Sequence, residues 1–320
     1  MIWIKVPATS ANLGPGYDCA GAALSLYSRF GFEPADALRI EGCPAAYQNE
    51  DNLVIQAFKK TLEAAGKPYV PVHLVTESHI PFSRGLGSSS SCIVAGAVAA
   101  NALTGNTLSE ETLLNICTEL EGHPDNVAPC LYGGVVSGFT EAGRTHVVRL
   151  SVHSRWRFVT LIPDYEVSTA MARKAVKQDI DVKTSVYTTG HVIAFLHALE
   201  KGDTALAAES CHDVLHEPYR RKLIPDYDRA RAAAFENGAT AFFISGSGST
   251  MIALCDAEEK GVSARELAAS DAPNPTAVPT EEKSAPARVL AAFRQAFPAF
   301  EAMELHVSAD GAVIEPDTVV

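Results

Sequence analysis

Two stretches of this chain carry residue types that could do chemistry at their spacing. The first is Gly85-Leu86-Gly87-Ser88-Ser89-Ser90-Ser91, followed at once by small apolar residues from Cys92 to Leu103 that read as a helix. Glycine has no Cβ, so its backbone N–H can come close to an anion. The first turn of a helix leaves N–H groups unpaired, and its dipole favours negative charge. Serine hydroxyls add donors for phosphate or a ligand for Mg²⁺. The combination suits a nucleotide triphosphate. It is not a Walker A loop, because no Gly-Lys-Ser/Thr follows, and it lacks the third glycine of G-x-G-x-x-G, which argues against a nicotinamide-dependent oxidoreductase. Taken alone, the string is equally a turn with a serine helix cap.

The second stretch is Glu119-Leu120-Glu121-Gly122-His123-Pro124-Asp125-Asn126. Glu119 and Glu121 sit where a helix should end, against its dipole, and that favours a nearby cation. Their bland reading is a solvated helix end. His212 and His216 are four apart on an expected helix, with Glu209 and Glu217 nearby. No H-E-x-x-H is present, so they read as a solvated face.

Ile2 to Val6 alternates as a strand and Ala8 to Gly16 reads as a loop. Ala20 to Phe32 and Val70 to Thr76 read as strands. Asp51 to Gly66 and Ser109 to Leu120 read as helices, with caps at Asp51 or Asn52 and at Ser109 and stops at Gly66 and Gly122. His123 to Pro129 reads as a loop and Leu131 to Phe139 as a strand. Past Leu150 come a strand at Phe158 to Pro163, a helix start at Ser168-Thr169, and helices at His191 to Lys201, Asp203 to Leu215 and Pro225 to Asn237. Ala239 to Cys255 reads as strand, tight turn, strand. Residues 257–286, rich in Ala, Glu, Ser and Pro, read as a flexible insertion. A helix at Ala287 to Phe297 and a hairpin at Asp310-Gly311 close the chain. Strands and helices mix without strict βα alternation, which points to an α+β fold.

The chain has 320 residues, enough for two domains around one cleft. Its 26 Lys+Arg against 38 Asp+Glu give a formal charge of −12, which repels nucleic-acid phosphates. The apolar run from Ile93 to Leu103 is too short to cross a membrane, and no signal peptide is visible. Seven scattered cysteines without a C-x-x-C pair suit a cytoplasmic protein rather than a disulfide framework or zinc site.

Pro81-Phe82-Ser83-Arg84-Gly85-Leu86-Gly87-Ser88-Ser89 resembles the second motif of the GHMP kinases, P-x-x-x-G-L-G-S-S-A-A, departing from it at Ser90 and Ser91. Lys5 to Asp18 resembles their first motif, in the form found in homoserine kinases. Ser245-Gly246-Ser247-Gly248-Ser249-Thr250 resembles the third, with serine at 249 in place of proline. Glu119 to Pro129, Ser168 to Arg173 and Pro218 to Pro225 resemble further homoserine kinase segments. The resemblance runs from Lys5 to Thr250.

It implies the two-domain GHMP kinase fold. Residues 1–150 would form an N-terminal nucleotide-binding domain of the ribosomal-protein-S5-like type, and residues 151–320 a ferredoxin-like α+β domain that closes the cleft. It implies ATP and Mg²⁺, with homoserine as substrate, no nucleic-acid or membrane partner, and room for a homodimer. ATP would lie against Pro81, Arg84, Gly85, Leu86, Gly87, Ser88, Ser89, Ser90, Ser91, Gly246 and Gly248. Mg²⁺ would be held by Ser89 and Glu121, with Glu119 the alternative. Asn12 and Asp18 would line the substrate pocket. Asp125 would bind the ammonium group, Asn126 orient the hydroxyl, and Thr169, Arg173 and Arg220 take the carboxylate and hydroxyl. An arginine fork is suited to a carboxylate. Another GHMP kinase, for mevalonate or shikimate, or a silent regulator on the same fold are the alternatives. Substrates without an ammonium group fit the paired aspartates less well.

Overall fold

The computed structural model describes residues 1–258 and 284–316. In chain order the elements are β1 (Ile2–Ala11), β2 (Ala20–Pro34), β3 (Arg39–Glu41), α1 (Leu53–Ala64), β4 (Val72–Glu77), α2 (Ser88–Leu103), α3 (Glu110–Glu121), α4 (Pro124–Tyr132), β5 (Val135–Glu141) and β6 (Arg144–Leu150). There follow β7 (Trp156–Ile162), α5 (Thr169–Ala175), α6 (Val182–Lys201), α7 (Thr204–Ser210), α8 (Glu217–Arg220), α9 (Tyr227–Glu236), β8 (Ala241–Ile244), β9 (Met251–Asp256), α10 (Ala285–Ala296), β10 (Glu301–Leu305) and β11 (Val313–Glu315).

The first sheet runs β11-β1-β2-β4-β3, with β5 on β2 and β6 on β5. Helices α1 to α4 cover one face and bury Phe30, Phe32, Phe58, Leu74 and Ile93 against it. Helix α2 is apolar on all sides, with Ile93 to Ala97 and Ala99 to Asn101 buried, because it lies between its neighbours and the sheet. Its Gly96 sits where a Cβ would lie 2.1 Å from the Val54 carbonyl, so α1 and α2 touch backbone to backbone. The second sheet, β10-β7-β9-β8, is antiparallel. Counted within that sheet the strand order is 4-1-3-2, the ferredoxin-like arrangement expected. A shared core joins the two units: Ala8, Leu13 and Leu24 of the first pack with Trp156, Phe158, Phe195 and Phe243 of the second.

Several expectations need correcting. His123 to Pro129 is not a loop but the start of α4. Pro124 at the first helical turn, where its missing N–H costs nothing, begins the helix directly after Gly122 ends α3 at φ 95°. The following strand therefore starts at Val135, after Gly133 and Gly134. Strand β1 runs on to Ala11 inside the stretch read as a loop, because β2 pairs with it over its whole length across a bulge at Pro7/Ala8. Helix α6 begins at Val182, capped by Asp181, nine residues before His191. Helix α7 stops at Ser210 rather than Leu215. No hairpin forms at Asp310-Gly311: β10 pairs with β7 and β11 with β1, so the chain crosses between the sheets there. The expected insertion lies mostly outside the described residues, and its last two, Ala285 and Pro286, open α10. Strands β3 and β6 were not foreseen.

The His212/His216 face also differs. His212 is exposed, but His216 is fully buried. Its ring stacks on Tyr17 at 5.1 Å and its Nε2 lies 2.8 Å from the Gly14 carbonyl, while burial lowers its pKa and keeps it neutral. Beside it Glu217 accepts from the Ile244 N–H at 2.5 Å and from the Tyr227 hydroxyl at 3.2 Å. This network seats α8, and with it Arg220, under the first motif. Burial pushes the Glu217 carboxyl from an ordinary 4.5 up to about 8. Below 4.5 it is protonated in both folded and unfolded chains. Between there and about 8 only the folded chain keeps the proton, so stability falls as pH rises through that window. Glu217→Gln is expected to flatten this fall, read as the urea midpoint at several values between about pH 5 and pH 8.

Candidate active site

The phosphate loop is wedged between the two units. Gly85 and Gly87 have φ of 79° and 71°. A Cβ at Gly85 would lie 2.3 Å from the Ser245 carbonyl, and one at Gly87 would lie 1.9 Å from Thr9 Oγ1. Both positions therefore need glycine, for conformation and for space. On one side the Thr9 N–H donates to the Leu86 carbonyl at 3.1 Å. On the other, Ser245 Oγ donates to the Gly85 carbonyl at 2.6 Å and the Thr250 N–H to the Arg84 carbonyl at 3.0 Å. Helix α2 begins immediately, with Gly87 as a cap that has no side chain to satisfy the first-turn amides. Ser249, where the motif usually has proline, ties its turn down differently: its Oγ donates to the Tyr165 carbonyl at 2.6 Å.

The end of α3 meets the start of α2. Ser89 Oγ and Ser90 Oγ each donate to the Glu121 carboxylate at 3.0 Å. Glu119 points elsewhere: it is exposed and ion-paired to Lys60 at 2.5 Å. The structure thus brings Glu121, not Glu119, to the loop. Ser89 Oγ and Glu121 form a pair of hard oxygen donors of the kind Mg²⁺ takes.

A cavity of about 150 Å³ opens beside this corner. Asn12, with φ 72°, reaches across it: its Nδ2 donates to the Gly246 carbonyl at 2.9 Å and its Oδ1 accepts the Asp18 N–H at 3.0 Å. Asp125 is almost wholly buried in the first turn of α4. Its Oδ1 bonds to His123 Nδ1, and among the described residues its Oδ2 has no hydrogen-bond partner. Burial pulls the His123 pKa down, but the bond to Asp125 and the charges of Asp125, Glu121 and Asp18 more than reverse this, leaving it raised. Asp18, His123 and Asp125 present ligand atoms within 4.8 Å of one another, an acidic pocket for a cation. Against it stand Arg173, bonded to both Asp18 oxygens at 3.1 and 3.2 Å, and Arg220. Arg220 is 3% exposed and held by the Gly246 carbonyl at 3.0 Å and by the Tyr17 ring, 4.9 Å away. Asn126 Oδ1 accepts from Thr9 Oγ1 at 2.7 Å, and Thr169 Oγ1 lies 3.3 Å from Ser247 Oγ.

The expected residues divide accordingly. Asn12, Asp18, Asp125, Asn126, Thr169, Arg173, Arg220, Gly85, Gly87, Ser88, Ser89, Glu121 and Gly246 all line this one cavity. Pro81, Arg84, Leu86, Ser90, Ser91 and Gly248 do not. Leu86 is fully buried in the shared core. Arg84 spends its guanidinium on the Phe82, Pro163 and Asp164 carbonyls and on Glu166. Ser91 Oγ turns back to the Ser88 carbonyl at 2.8 Å, as short polar side chains in helices do. Ser90 acts only through Glu121. Residues given no role from sequence also belong here: Thr9 against the loop and Asn126, His123 on Asp125, Ser83 and Ser247 in the lining, and Tyr17 under Arg220. His123 and Tyr17 stood inside the matched motifs, and their position there was the available signal. A second cavity of about 210 Å³ shares Ser83, Ser88 and Ser89 with the first and is walled by Tyr47, Asn52, Leu53 and Phe82. Its residues come from segments far apart in the chain, so nothing in their spacing announced it.

Comparisons with known proteins agree with this fold. Residues 52–134 match the family described as GHMP kinases N terminal domain, and residues 195–274 match GHMP kinases C terminal. A homoserine kinase of Clostridium beijerinckii is 40% identical over 262 residues, covering 81% of this chain and 88% of its own. A homoserine kinase of Clostridium botulinum is 38% identical over 80% of this chain and 87% of its own. The crystal structure of homoserine kinase from Cytophaga hutchinsonii superposes with a TM-score of 0.82 at 28% identity, covering 98% of this chain and 97% of that one. The chain belongs to the homoserine kinase family of the GHMP kinases, two-domain α+β enzymes that phosphorylate small molecules.

Proposed function

We propose that this enzyme transfers the γ-phosphoryl group of MgATP to the side-chain hydroxyl of L-homoserine. The observation that carries this reading is the cavity's paired charges: Asp18 and Asp125 on one side, Arg173 and Arg220 on the other, beside an anion-binding loop. An amino acid carries one ammonium and one carboxylate group, and this set complements both. Asp125 Oδ2, buried and lacking a partner among the described residues, is the acceptor such a substrate would satisfy. Mevalonate and shikimate could offer it a hydroxyl but carry no ammonium charge to match the carboxylate.

The phosphates of ATP would lie on the amides of Gly85 to Ser89 at the start of α2. The base would enter the second cavity, between Tyr47 and Phe82, which adjoins the same serines. Ser89 and Glu121 would hold Mg²⁺, which when bound offsets the charge on the phosphate oxygens. Arg173 and Arg220 fix the carboxylate, Asp125 and Asp18 the ammonium group, and Asn126 hydrogen-bonds the hydroxyl so that it faces the phosphate in line. Asn126 has no basic atom, and His123 turns its Nδ1 to Asp125. The reaction is therefore driven by alignment and charge stabilisation, without a strong general base. The product, O-phospho-L-homoserine, belongs to threonine biosynthesis.

The reading is tested by ADP release with MgATP and homoserine, serine, threonine, mevalonate or shikimate. Turnover well above the others with homoserine is expected, and preference for another alcohol would overturn the pocket assignment. Glu121→Gln is expected to raise the Mg²⁺ requirement by at least ~10-fold, and Glu119→Gln to leave it unchanged, as read from activity against Mg²⁺ concentration. Asp125→Asn removes a charged hydrogen bond and should raise KM for homoserine by roughly 10–100-fold with kcat largely kept. An unchanged KM with turnover abolished would instead make Asp125 the base.

A further inference from the structure

The Asp18–Arg173 pair is a wall with a cavity on each side. Inward lies the catalytic cavity of about 150 Å³. Outward lies a larger one, about 470 Å³, lined by Tyr17, Lys174, Lys177 and Leu215 together with the same Asp18 and Arg173. The pair is fork to fork, 3.1 and 3.2 Å, yet not sealed from solvent: the side chains are 32% and 42% exposed. Among the described residues the only carboxylate lining the outer cavity is Asp18, already engaged by Arg173, so Lys174 and Lys177 give that cavity an excess of positive charge in a chain of net charge −12. Lys177 Nζ stands 5.9 Å over the Tyr219 ring, and both lysines lie on or just past α5, the helix that carries Arg173. No residue of this outer cavity belongs to the cavity walled by Tyr47 and Phe82.

We propose that the outer cavity is an entry subsite for the carboxylate of a small zwitterionic amino acid, and that the Asp18–Arg173 ion pair is the gate between it and the catalytic cavity. The proposal rests on the reading of the substrate as homoserine. The incoming carboxylate first meets Lys174 and Lys177 while the pair is closed. The pair then opens by exchange: the carboxylate goes to Arg173 and the ammonium group to Asp18. Each charge keeps an opposite partner throughout the exchange, so neither half-exposed group gives up its ion pair without a replacement. A molecule with only one of the two charges leaves either Asp18 or Arg173 unsatisfied, so the gate selects zwitterions. The nucleotide enters by the other mouth, so neither reactant blocks the other.

The test is steady-state kinetics of the full chain carrying Lys174→Glu and Lys177→Glu together. KM for homoserine should rise about tenfold at low salt while kcat and KM for ATP stay within about twofold, and the effect should shrink in about 0.5 M salt as the exposed charges are screened. Lys174→Gln with Lys177→Gln, which is gentler on folding, should raise KM about fivefold, and the double arginine variant should restore it. An unchanged KM for homoserine in both double variants would overturn the proposal. So would an equal rise in KM for ATP, since the lysines would then be serving the nucleotide. If the unaltered chain does not phosphorylate homoserine, the functional reading itself has failed, and that outcome is distinct from either of these.

Discussion

The close approach of the loop to its neighbours, at Gly85 against the backbone of the 245–250 turn and at Gly87 against the Thr9 side chain, is the constraint on which the site depends. A triphosphate held without a lysine in the loop must be held by amides and a helix start, and these work only if no side chain intervenes. That requirement brings β1 against the loop at Thr9 and the 245–250 turn against it from the other unit. Three segments far apart in sequence thus meet at one point. The shared core of Leu13, Leu86, Trp156 and Phe243 lies behind them and fixes their distance.

Once the loop is fixed, the remaining charges follow. The end of α3 abuts the start of α2, which sets Glu121 on Ser89 and Ser90. Gly122 turns the chain at once into α4, whose first turn carries Asp125 and Asn126 to the cavity floor. Gly21 on β2 lets α4 come this near, since a Cβ there would lie 1.7 Å from the Asp125 carbonyl. The opposite wall comes from the second unit, where the buried Glu217 and His216 network holds α8 and so directs Arg220 inward. Arg220 has lost most of its water, and the Gly246 carbonyl and the Tyr17 face replace it.

Local signals were legible where a backbone rule operates. Asn52, Ser109 and Gly122 marked helix ends because capping is decided within a few residues. The α2 start was legible because a run of small apolar residues follows the glycines and serines at once. The helix at Pro124 was missed because a proline and a glycine beside a short polar run look like a loop, although Pro124 itself is at home in the first turn. The hairpin at Asp310-Gly311 was misread because turn chemistry says that the chain bends, not which strand it meets next.

The sequence by itself marked the glycine loop as an anion site and, through its resemblance to homoserine kinases, offered the acids at 119, 121 and 125, the aspartate at 18 and the arginines at 173 and 220 for a phosphoryl transfer. Residue type sets what a group can bind, and type is written in the chain. Only the tertiary structure decided which of them share a cavity. It brought Glu121 rather than Glu119 to the loop, turned Arg84 and Ser91 away from the cavity, paired Asp18 with Arg173, and set Tyr17 and His123 beside the site. Those outcomes depend on where distant segments are packed and on which side chains lose their water there, and neither follows from spacing along the chain.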